Sequence, residues 1–403
     1  MSIPTGNIKL TNIGQLATFD STTNSVRIHQ DVELLIQNDK IESIGKKLKA
    51  ADKVIDCRGQ LITPGFVDPH THPVFVNGRQ KEFQMRIAGA SYQEIAAQGG
   101  GIQSSIYDVR KASVADLIKA VTNRMDRFLV LGTTTIEAKS GYGLDLDSEL
   151  KSLAVLDQVR ESHSIDIIPT FMGAHAFPPE YKNDRDGYVE YICSTMIPKV
   201  KEQDIAIFCD VFCEEGYFNV HQSEKILLKA KEHGLTPRLH ADEFKDSNAA
   251  ELAGRIGAVS ADHLMAVSDK GIDALSKSGV IGILLPGTTF FLGSSSWAPA
   301  KKLKENGVEI ALATDFNPGS CFIQSMPFII SLACLYLNIT IEEAFKSATY
   351  NAAKSLMVED TVGSLEPGKK ADLIWWNLNE LIEIPYHVTD VPITNVMKSG
   401  RWI

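Results

Sequence analysis

The 403-residue sequence has no long hydrophobic run and no excess of positive charge, and each absence excludes a class of protein. Its longest apolar stretch, residues 328–337, is interrupted by Ser331 and is too short to cross a bilayer. Lysine and arginine number 40 against 50 aspartates and glutamates, and the basic residues are scattered along the chain. We therefore expect neither a membrane nor a nucleic acid as a partner, and an anionic ligand would need a local cationic group.

Cysteine is also scarce. The six cysteines have no CxxC spacing, and a chain of 44.2 kDa does not need disulfides to stabilise its core. The first ten residues, MSIPTGNIKL, contain no apolar run of the kind found in signal peptides. We predict reduced thiols that act as small apolar residues, in a cytoplasmic protein.

A phosphate-binding frame is missing as well. Gly99-Gly100-Gly101 is followed neither by a GxGxxG pattern nor by a Lys-Ser/Thr pair. We interpret this stretch as a flexible loop near a site formed by other residues.

The two ends of the chain share a β-rich pattern. Residues 8–62 read as short strands joined by turns, and residues 370–403 alternate again, with many aromatic and β-branched side chains. Because the ends resemble each other and differ from the middle, we predict one small β-sandwich domain built from both termini. Its two parts are residues 1–61 and 361–403.

The middle of the chain alternates β-type runs with helical patterns, as parallel α/β folds do. After the run that ends at His72, seven more follow, at residues 132–139, 166–175, 206–213, 235–240, 258–263, 280–285 and 308–315. Eight βα units over about 300 residues fit a TIM (β/α)8 barrel, whose usual length is about 250 residues with room for loops. We predict this barrel for residues 62–360, and a doubly wound open sheet is the alternative.

The motif PGFVDPHTHPVF, residues 64–75, places His70 and His72 one residue apart at the end of the first β-type run. Both side chains then project from one side, because side chains alternate along a strand. Two imidazoles on one face supply half of a tetrahedral zinc shell. A bare His-x-His is more often the polar rim of a strand, but here Pro-Gly precedes the run and a proline follows it, which favours the metal site.

Other chemically capable residues also fall where a barrel needs them, since barrel active sites lie at the C-terminal ends of the strands. Five of the ten histidines fall at predicted strand ends: His70, His72, His175, His240 and His263. Asp315 closes the eighth run, and Glu243 follows His240 by three residues. Random placement would seldom produce this distribution.

Several of these residues also have a structural interpretation. The pair His240 and Glu243 offers a metal ligand with a carboxylate close enough to act on a water at the metal. Asp315 is a good turn cap, but small apolar residues precede it and place it at the end of a packed strand. For His263 a structural and a functional role are equally supported.

Arg79 lies seven residues past His72, over the mouth of the predicted barrel. An arginine in a loop is ordinarily a solvated charge, but a guanidinium beside a metal is what a carboxylate-bearing substrate requires. Tyr142, between two glycines after the second run, fits a substrate contact and a packing residue equally well.

PGFVDPHTH, LHADEF, SADHL and ATDFNPGS together resemble the metal-dependent amidohydrolase superfamily, and KKADLIWW is similar to the return of such chains into their small β domain. The resemblance spans nearly the whole chain and implies a homodimer. It implies one Zn²⁺ per chain, with Fe²⁺ or Fe³⁺ as the alternative, bound by His70, His72, His240 and Asp315. It implies that substrate or product is held by Arg79, Tyr142, His175, Glu243, Asn317, Gly319 and Ser320. Ser320 stands where the family often has threonine.

Within that superfamily HTHPVFVNGRQKEF, EAKSGYGL and GAHAFP are most similar to enzymes that open the ring of an imidazolone. This implies hydrolysis of the lactam C–N bond of 4-imidazolone-5-propanoate to N-formimidoyl-L-glutamate by a metal-activated water. Glu243 is the expected general base, with Asp315 as its rival, and His263 would orient the water or stabilise charge on the carbonyl.

Two other functions stay open from the sequence. One is a deaminase or another cyclic amidohydrolase on the same barrel. The other is a non-catalytic assembly protein, which would have lost ligands that this chain retains.

Overall fold

The structure is a computed structural model that describes residues 6–89 and 100–403. The strands of this part of the chain are β1 (Asn7–Asp20), β2 (Ser25–Gln37), β3 (Lys40–Gly45), β4 (Lys53–Asp56), β5 (Leu61–Pro64), β6 (Phe66–Asp68), β7 (Thr133–Lys139), β8 (Asp166–Ala174), β9 (Phe208–Cys213), β10 (Thr236–Ala241), β11 (Ser260–His263), β12 (Ile281–Leu284), β13 (Ile310–Leu312), β14 (Leu373–Trp376), β15 (Ile393–Lys398) and β16 (Arg401–Trp402).

The α-helices of the same part are α1 (Gln80–Ile87), α2 (Ile102–Lys111), α3 (Val114–Val130), α4 (Leu146–Ser162), α5 (Arg185–Tyr191), α6 (Ile197–Gln203), α7 (Val220–Glu232), α8 (Ala249–Ile256), α9 (Asp269–Ser278), α10 (Pro286–Phe291), α11 (Ala300–Glu305), α12 (Met326–Tyr336), α13 (Ile341–Ser347), α14 (Tyr350–Ser355) and α15 (Glu383–Tyr386). No helix within residues 6–89 and 100–403 is both long enough and apolar enough to cross a membrane. All six cysteines are free thiols.

Strands β6 to β13 form one sheet, in which each strand pairs in parallel with the next one along the chain. This sequential parallel order is that of a (β/α)8 barrel, so the predicted barrel is confirmed. A doubly wound sheet would reverse its strand order partway across, and this sheet does not.

The barrel closes through main-chain contacts just beyond the ends of β6 and β13. The N–H of Asp315 donates to the carbonyl of His70 at 3.1 Å, and the N–H of His72 donates to the carbonyl of Phe316 at 2.8 Å. Closure therefore places the histidine pair of the first strand beside the aspartate of the eighth.

Strands from both ends of the chain form a second, mixed sheet in the order β16-β15-β14-β5-β1-β2-β3, with β4 paired to β1. Strand β5 pairs in parallel with β1 and antiparallel with β14, and so joins the two ends of the chain. The predicted small β domain built from both termini is confirmed. Its bounds, residues 1–61 and 361–403 around a 62–360 barrel, stay a prediction.

One buried cation ties the small sheet to the barrel. Lys398, at the end of β15, has a side chain that is only 3% exposed. Its Nζ lies 2.6 Å from Oδ2 of Asp166, which opens barrel strand β8, and it also contacts Oδ2 of Asp372 beside β14. A buried charge persists only when it is paired, so this lysine stabilises the junction through two carboxylates.

We predict that Lys398→Met lowers the free energy of unfolding by about 3–5 kcal/mol, because the buried Asp372 carboxylate loses its cation. Chemical denaturation followed by circular dichroism measures the change. Lys270→Met, on the exposed side of α9, is the matched control and should leave the unfolding free energy nearly unchanged. Equal stabilities of the two variants would show that the pair does not hold the domains together.

Candidate active site

A cavity of about 510 Å³ opens at the C-terminal ends of the barrel strands. The predicted site residues that line it are His72, Arg79, Tyr142, His175, His240, Glu243, His263, Asp315, Asn317, Gly319 and Ser320. His70 is fully buried directly behind them. The fold therefore brings every predicted site residue to one place.

Three imidazole nitrogens and one carboxylate converge on the floor of this cavity. Nε2 of His72 lies 3.3 Å from Nε2 of His70 and 3.3 Å from Nε2 of His240. Oδ1 of Asp315 lies 3.5 Å from Nε2 of both His70 and His72. We refer to His70, His72, His240 and Asp315 as the four-donor cluster.

The outer ring nitrogens of two of these histidines are held by acids. Nδ1 of His70 lies 2.6 Å from Oδ2 of Asp262, and Nδ1 of His240 lies 3.1 Å from Oδ1 of Asp210. A carboxylate at Nδ1 keeps the proton there, so the Nε2 lone pair of each ring faces the cluster. Burial first, then nearby positive charge, lowers the pKa of His70 well below 6.5, which also favours the neutral ring.

This arrangement fits a metal ion. The Nε2 lone pairs of His70 and His240 are turned toward Nε2 of His72, close enough for one cation to be shared by the three rings. His70, His72 and Asp315 form a donor set within 4.8 Å, and so do His70, His240 and His263. Imidazole nitrogens with one carboxylate are a common donor set for zinc and for non-haem iron.

A layer of buried charge lies beneath the cluster. Nζ of Lys139 donates to Oε1 of Glu137 and to Oδ2 of Asp210, both at 2.8 Å, and these side chains are fully buried. Burial works against the charged form of Asp210, but His240 and Lys139 outweigh it and hold its pKa well below the usual value. The lysine thus fixes the carboxylate that orients His240.

Arg238 has the corresponding place beneath His70. Its Nη2 donates to the carbonyl of Pro69 at 2.7 Å and lies 3.5 Å from Oδ2 of Asp262. The sequence reasoning missed these residues and Lys139's pairing. The sequence feature that could have predicted them is a charged residue inside an otherwise apolar strand, which occurs at positions 137, 139, 210, 238 and 262.

Two residues at the strand ends have left-handed backbones. His263 has φ +82° and Asp315 has φ +53°, a region that residues other than glycine seldom occupy. His263 is the last residue of β11 and Asp315 follows β13, and both side chains line the cavity. Such backbone strain is typical of sites where a side chain must be aimed.

Glu243 and His263 lie side by side in the cavity, with Oε2 and Nε2 3.6 Å apart. Burial, followed by the charges of Asp315 and Glu214, raises the pKa of Glu243 well above its usual value. A cation at the four-donor cluster would oppose this shift and favour the carboxylate. Glu214 also holds the loop after Glu243, since its Oε2 accepts from the N–H of Phe244 at 2.9 Å.

His175 and Tyr142 form the wall next to His72. Nδ1 of His175 lies 2.9 Å from the carbonyl of Gly141, which places the proton on Nδ1 and leaves Nε2 without one. Its ring stacks on that of His72, with centroids 5.1 Å apart. Burial above all, and the nearby His240 second, lower the pKa of His175 to about 3, so the ring of His175 is neutral and can accept a hydrogen bond.

Arg79 lies immediately before α1, and its guanidinium rests on Gly319. A Cβ at position 319 would lie 1.5 Å from Nη2 of Arg79, so only glycine leaves room for this side chain. Nε of Arg79 is 3.8 Å from Oε2 of Glu82. The loop that carries Gly319 is closed by Asn317, whose Oδ1 accepts from the N–H groups of Gly319 and Ser320 at 2.9 and 2.7 Å.

Comparison with known proteins agrees with this architecture. The Amidohydrolase family matches residues 216–403. The structure resembles a Xaa-Pro dipeptidase with bound methionine (TM-score 0.73, 16% identity, 98% of this chain and 99% of that one). It also resembles an adenosine deaminase from Xanthomonas campestris with bound zinc (TM-score 0.73, 17% identity, 98% and 92%). At these identities the likeness concerns the fold.

The sequence relatives are much more similar. An imidazolonepropionase of Geobacillus thermodenitrificans is 48% identical over 348 residues, which cover 86% of this chain and 82% of that protein. One from Bacillus cytotoxicus is 42% identical over 407 residues, covering 98% and 96%. Barrel, donor cluster and family match together define an amidohydrolase. Within that class, the chain belongs to the imidazolonepropionase family.

The four-donor cluster predicts that His70→Ala abolishes metal binding, because the remaining donors lose one of the central lone pairs. Elemental analysis of dialysed protein measures metal per chain, and circular dichroism checks the fold. His221→Ala, exposed on α7, is the matched control and should keep the metal content of the wild type. A folded His70→Ala chain with undiminished metal would contradict the assignment.

Proposed function

We propose that this enzyme hydrolyses the lactam C–N bond of 4-imidazolone-5-propanoate and releases N-formimidoyl-L-glutamate. The observation that carries the proposal is the presence, in one cavity, of the four-donor cluster and the guanidinium of Arg79. A metal at the four-donor cluster would promote hydrolysis of a cyclic amide, and the guanidinium of Arg79 can bind a carboxylate attached to the ring. The imidazolonepropionases named above, up to 48% identical, support the same reaction.

We assign one metal ion per chain to His70, His72, His240 and Asp315, with zinc as the expected ion and iron as the alternative. When bound, the ion would act as a Lewis acid that makes a water nucleophilic near neutral pH and polarises the lactam carbonyl. Asp262 and Asp210 keep the rings of His70 and His240 in the tautomer that this binding needs.

The proton transfers are assigned to Glu243. Its carboxylate would take a proton from the attacking water and deliver it to the ring nitrogen as the C–N bond breaks. His263, with Nε2 3.6 Å from Oε2 of Glu243, would orient the water or stabilise the charge on the carbonyl oxygen. Asp315 is the rival base, since burial raises its pKa to about 6.

The substrate would lie between the cluster and Arg79. Arg79 would bind the propionate tail through two parallel hydrogen bonds. Nε2 of His175 faces the ring as an acceptor, and Tyr142 adds a neutral polar group. Both ends of the Asn317 amide are already bonded within its own loop, so its contribution with Ser320 is to hold the loop under Arg79. We further propose that the enzyme is a cytoplasmic homodimer, as the family resemblance implies.

Glu243→Gln is predicted to keep the bound metal and to lower kcat on the order of 10²-fold or more, since the amide cannot carry the proton. Steady-state kinetics and elemental analysis on the same sample measure both quantities. Glu232→Gln, exposed on α7, serves as the control with unchanged kcat. Near-normal turnover by the Glu243 variant would assign the proton transfer to Asp315.

Arg79→Met is predicted to raise KM for imidazolone propionate roughly tenfold or more, because a charge-assisted hydrogen bond contributes about 1.5–3 kcal/mol. Hydrolysis of an imidazolone that lacks the tail should change little. The assay is ring opening by the metal-loaded enzyme, with the product identified by mass spectrometry. A wild-type enzyme that handled the tailless ring as well as the natural one would disprove recognition of the carboxylate.

Gly319→Ala provides a second way to displace the same guanidinium. The new methyl group would occupy the position of Nη2, and a flexible arginine can swing away at little cost in stability. The kinetic defect should therefore resemble that of Arg79→Met, with an unfolding midpoint close to that of the wild type. An unchanged KM would show that Arg79 does not act from its place on Gly319.

A further inference from the structure

Helix α1 presents a charged stripe to the cavity beyond Arg79. Glu82 and Arg86 follow Arg79 at three and seven residues, a spacing that puts all three on one face of a helix, and all three line the cavity. The sequence analysis identified only the first of them. No residue of α1 is buried, so this face is maintained by polar contacts and by packing of a few side chains.

Glu82 already has two partners. Its Oε2 lies 3.8 Å from Nε of Arg79, and its Oε1 accepts from the N–H of Gly101 at 2.9 Å, just before α2. A ligand carboxylate bound to Arg79 would therefore lie near the negative charge of Glu82. Repulsion by Glu82 would partly cancel the attraction by Arg79.

Arg86 has no such carboxylate partner. Among the described residues, none of its nitrogens lies within ion-pair distance of an acid, and its Nη2 donates to the carbonyl of Phe291 at 3.2 Å. Its guanidinium carbon is 5.5 Å from the ring centroids of Phe83 and of Phe291. The charged groups that act on it are Arg79 and Glu82, and among residues 6–89 and 100–403 only the carbonyl of Phe291 accepts a hydrogen bond from it.

We propose that Arg86 is a second specificity-determining residue for the anionic tail, acting together with Arg79 on the same carboxylate. The stripe carries two cations and one anion, and within the described part of the chain Arg86 is the cation without a carboxylate partner. A carboxylate between the two guanidinium groups would gain charge-assisted hydrogen bonds from both. The inference deepens the function proposed above and rests on it for the identity of the natural substrate.

The competing explanation is that Arg86 only anchors α1 to α10 through Phe291. An anchor would affect stability and the binding of every ligand alike, whereas a carboxylate-recognising residue affects only charged ligands. The test therefore compares two probes of equal shape, imidazole-4-propionate and its neutral amide imidazole-4-propionamide. Isothermal titration of each into the metal-loaded enzyme gives the preference for the anion as a ratio of Kd values.

We expect Arg86→Met to reduce this preference about tenfold with little change in the Kd of the amide. Arg86→Lys, which keeps the charge, should retain part of the preference. Arg127→Met, exposed on α3, is the control with the preference of the wild type. Steady-state kinetics of Arg86→Met on imidazolone propionate should show a raised KM with kcat within a few-fold of normal.

The inference is overturned if Arg86→Met keeps the wild-type preference, or loses affinity for both probes equally together with a lower unfolding midpoint. It is also overturned if the wild-type enzyme binds both probes equally. Titration measures binding without turnover. The role of Arg86 and the proposed hydrolysis can therefore be disproved independently of each other. A wild-type chain inactive on imidazolone propionate, with an Arg86-dependent preference for the anion, would contradict the proposed function and support the role of Arg86.

Discussion

Three imidazole nitrogens and one carboxylate converge at the C-terminal ends of the barrel strands, and the buried charges of the barrel are arranged around them. Nε2 of His72 faces the Nε2 atoms of His70 and His240 at 3.3 Å, on the floor of the cavity. One cation would satisfy all three nitrogens at once. Asp210 and Asp262 fix the outer nitrogens, and Lys139 and Arg238 balance those acids in turn. The barrel interior is thus a stack of alternating charge with the donor cluster at its top.

The wall of the cavity supplies the positive charge that an anionic substrate needs. An enzyme with a formal net charge of −10 must attract an anionic substrate by local donors alone. Gly319 gives Arg79 its place, and the Asn317 side chain keeps that loop closed. Helix α1 then adds charge to the wall without contributing anything to the core. The four-donor cluster at the floor of the cavity and the charged groups of its wall are therefore carried by separate elements.

The elements that local sequence patterns determine were predicted correctly. Eight apolar runs predicted the barrel, and the histidines at their ends predicted which side chains meet at one cavity, because both depend only on strand period and strand order. The roles of those side chains stay a prediction. The contacts between Lys139 and Asp210 and between Lys398 and Asp166 depend on register between segments distant in sequence, which no local pattern contains. Arg79, Glu82 and Arg86 share a readable helical spacing. The direction in which that face points depends on packing against Phe291, which lies far away in sequence. The sequence of α1 therefore does not predict it.

Anomalous diffraction at the zinc edge, from crystals of the zinc-loaded enzyme, would show which side chains hold the ion. We expect one peak per chain, about 2.0–2.2 Å from Nε2 of His70, His72 and His240 and from a carboxylate oxygen of Asp315. The structure also contains a competing set, since His70, His240 and His263 lie close enough to share an ion. A peak among those three histidines, away from His72 and Asp315, would contradict the account.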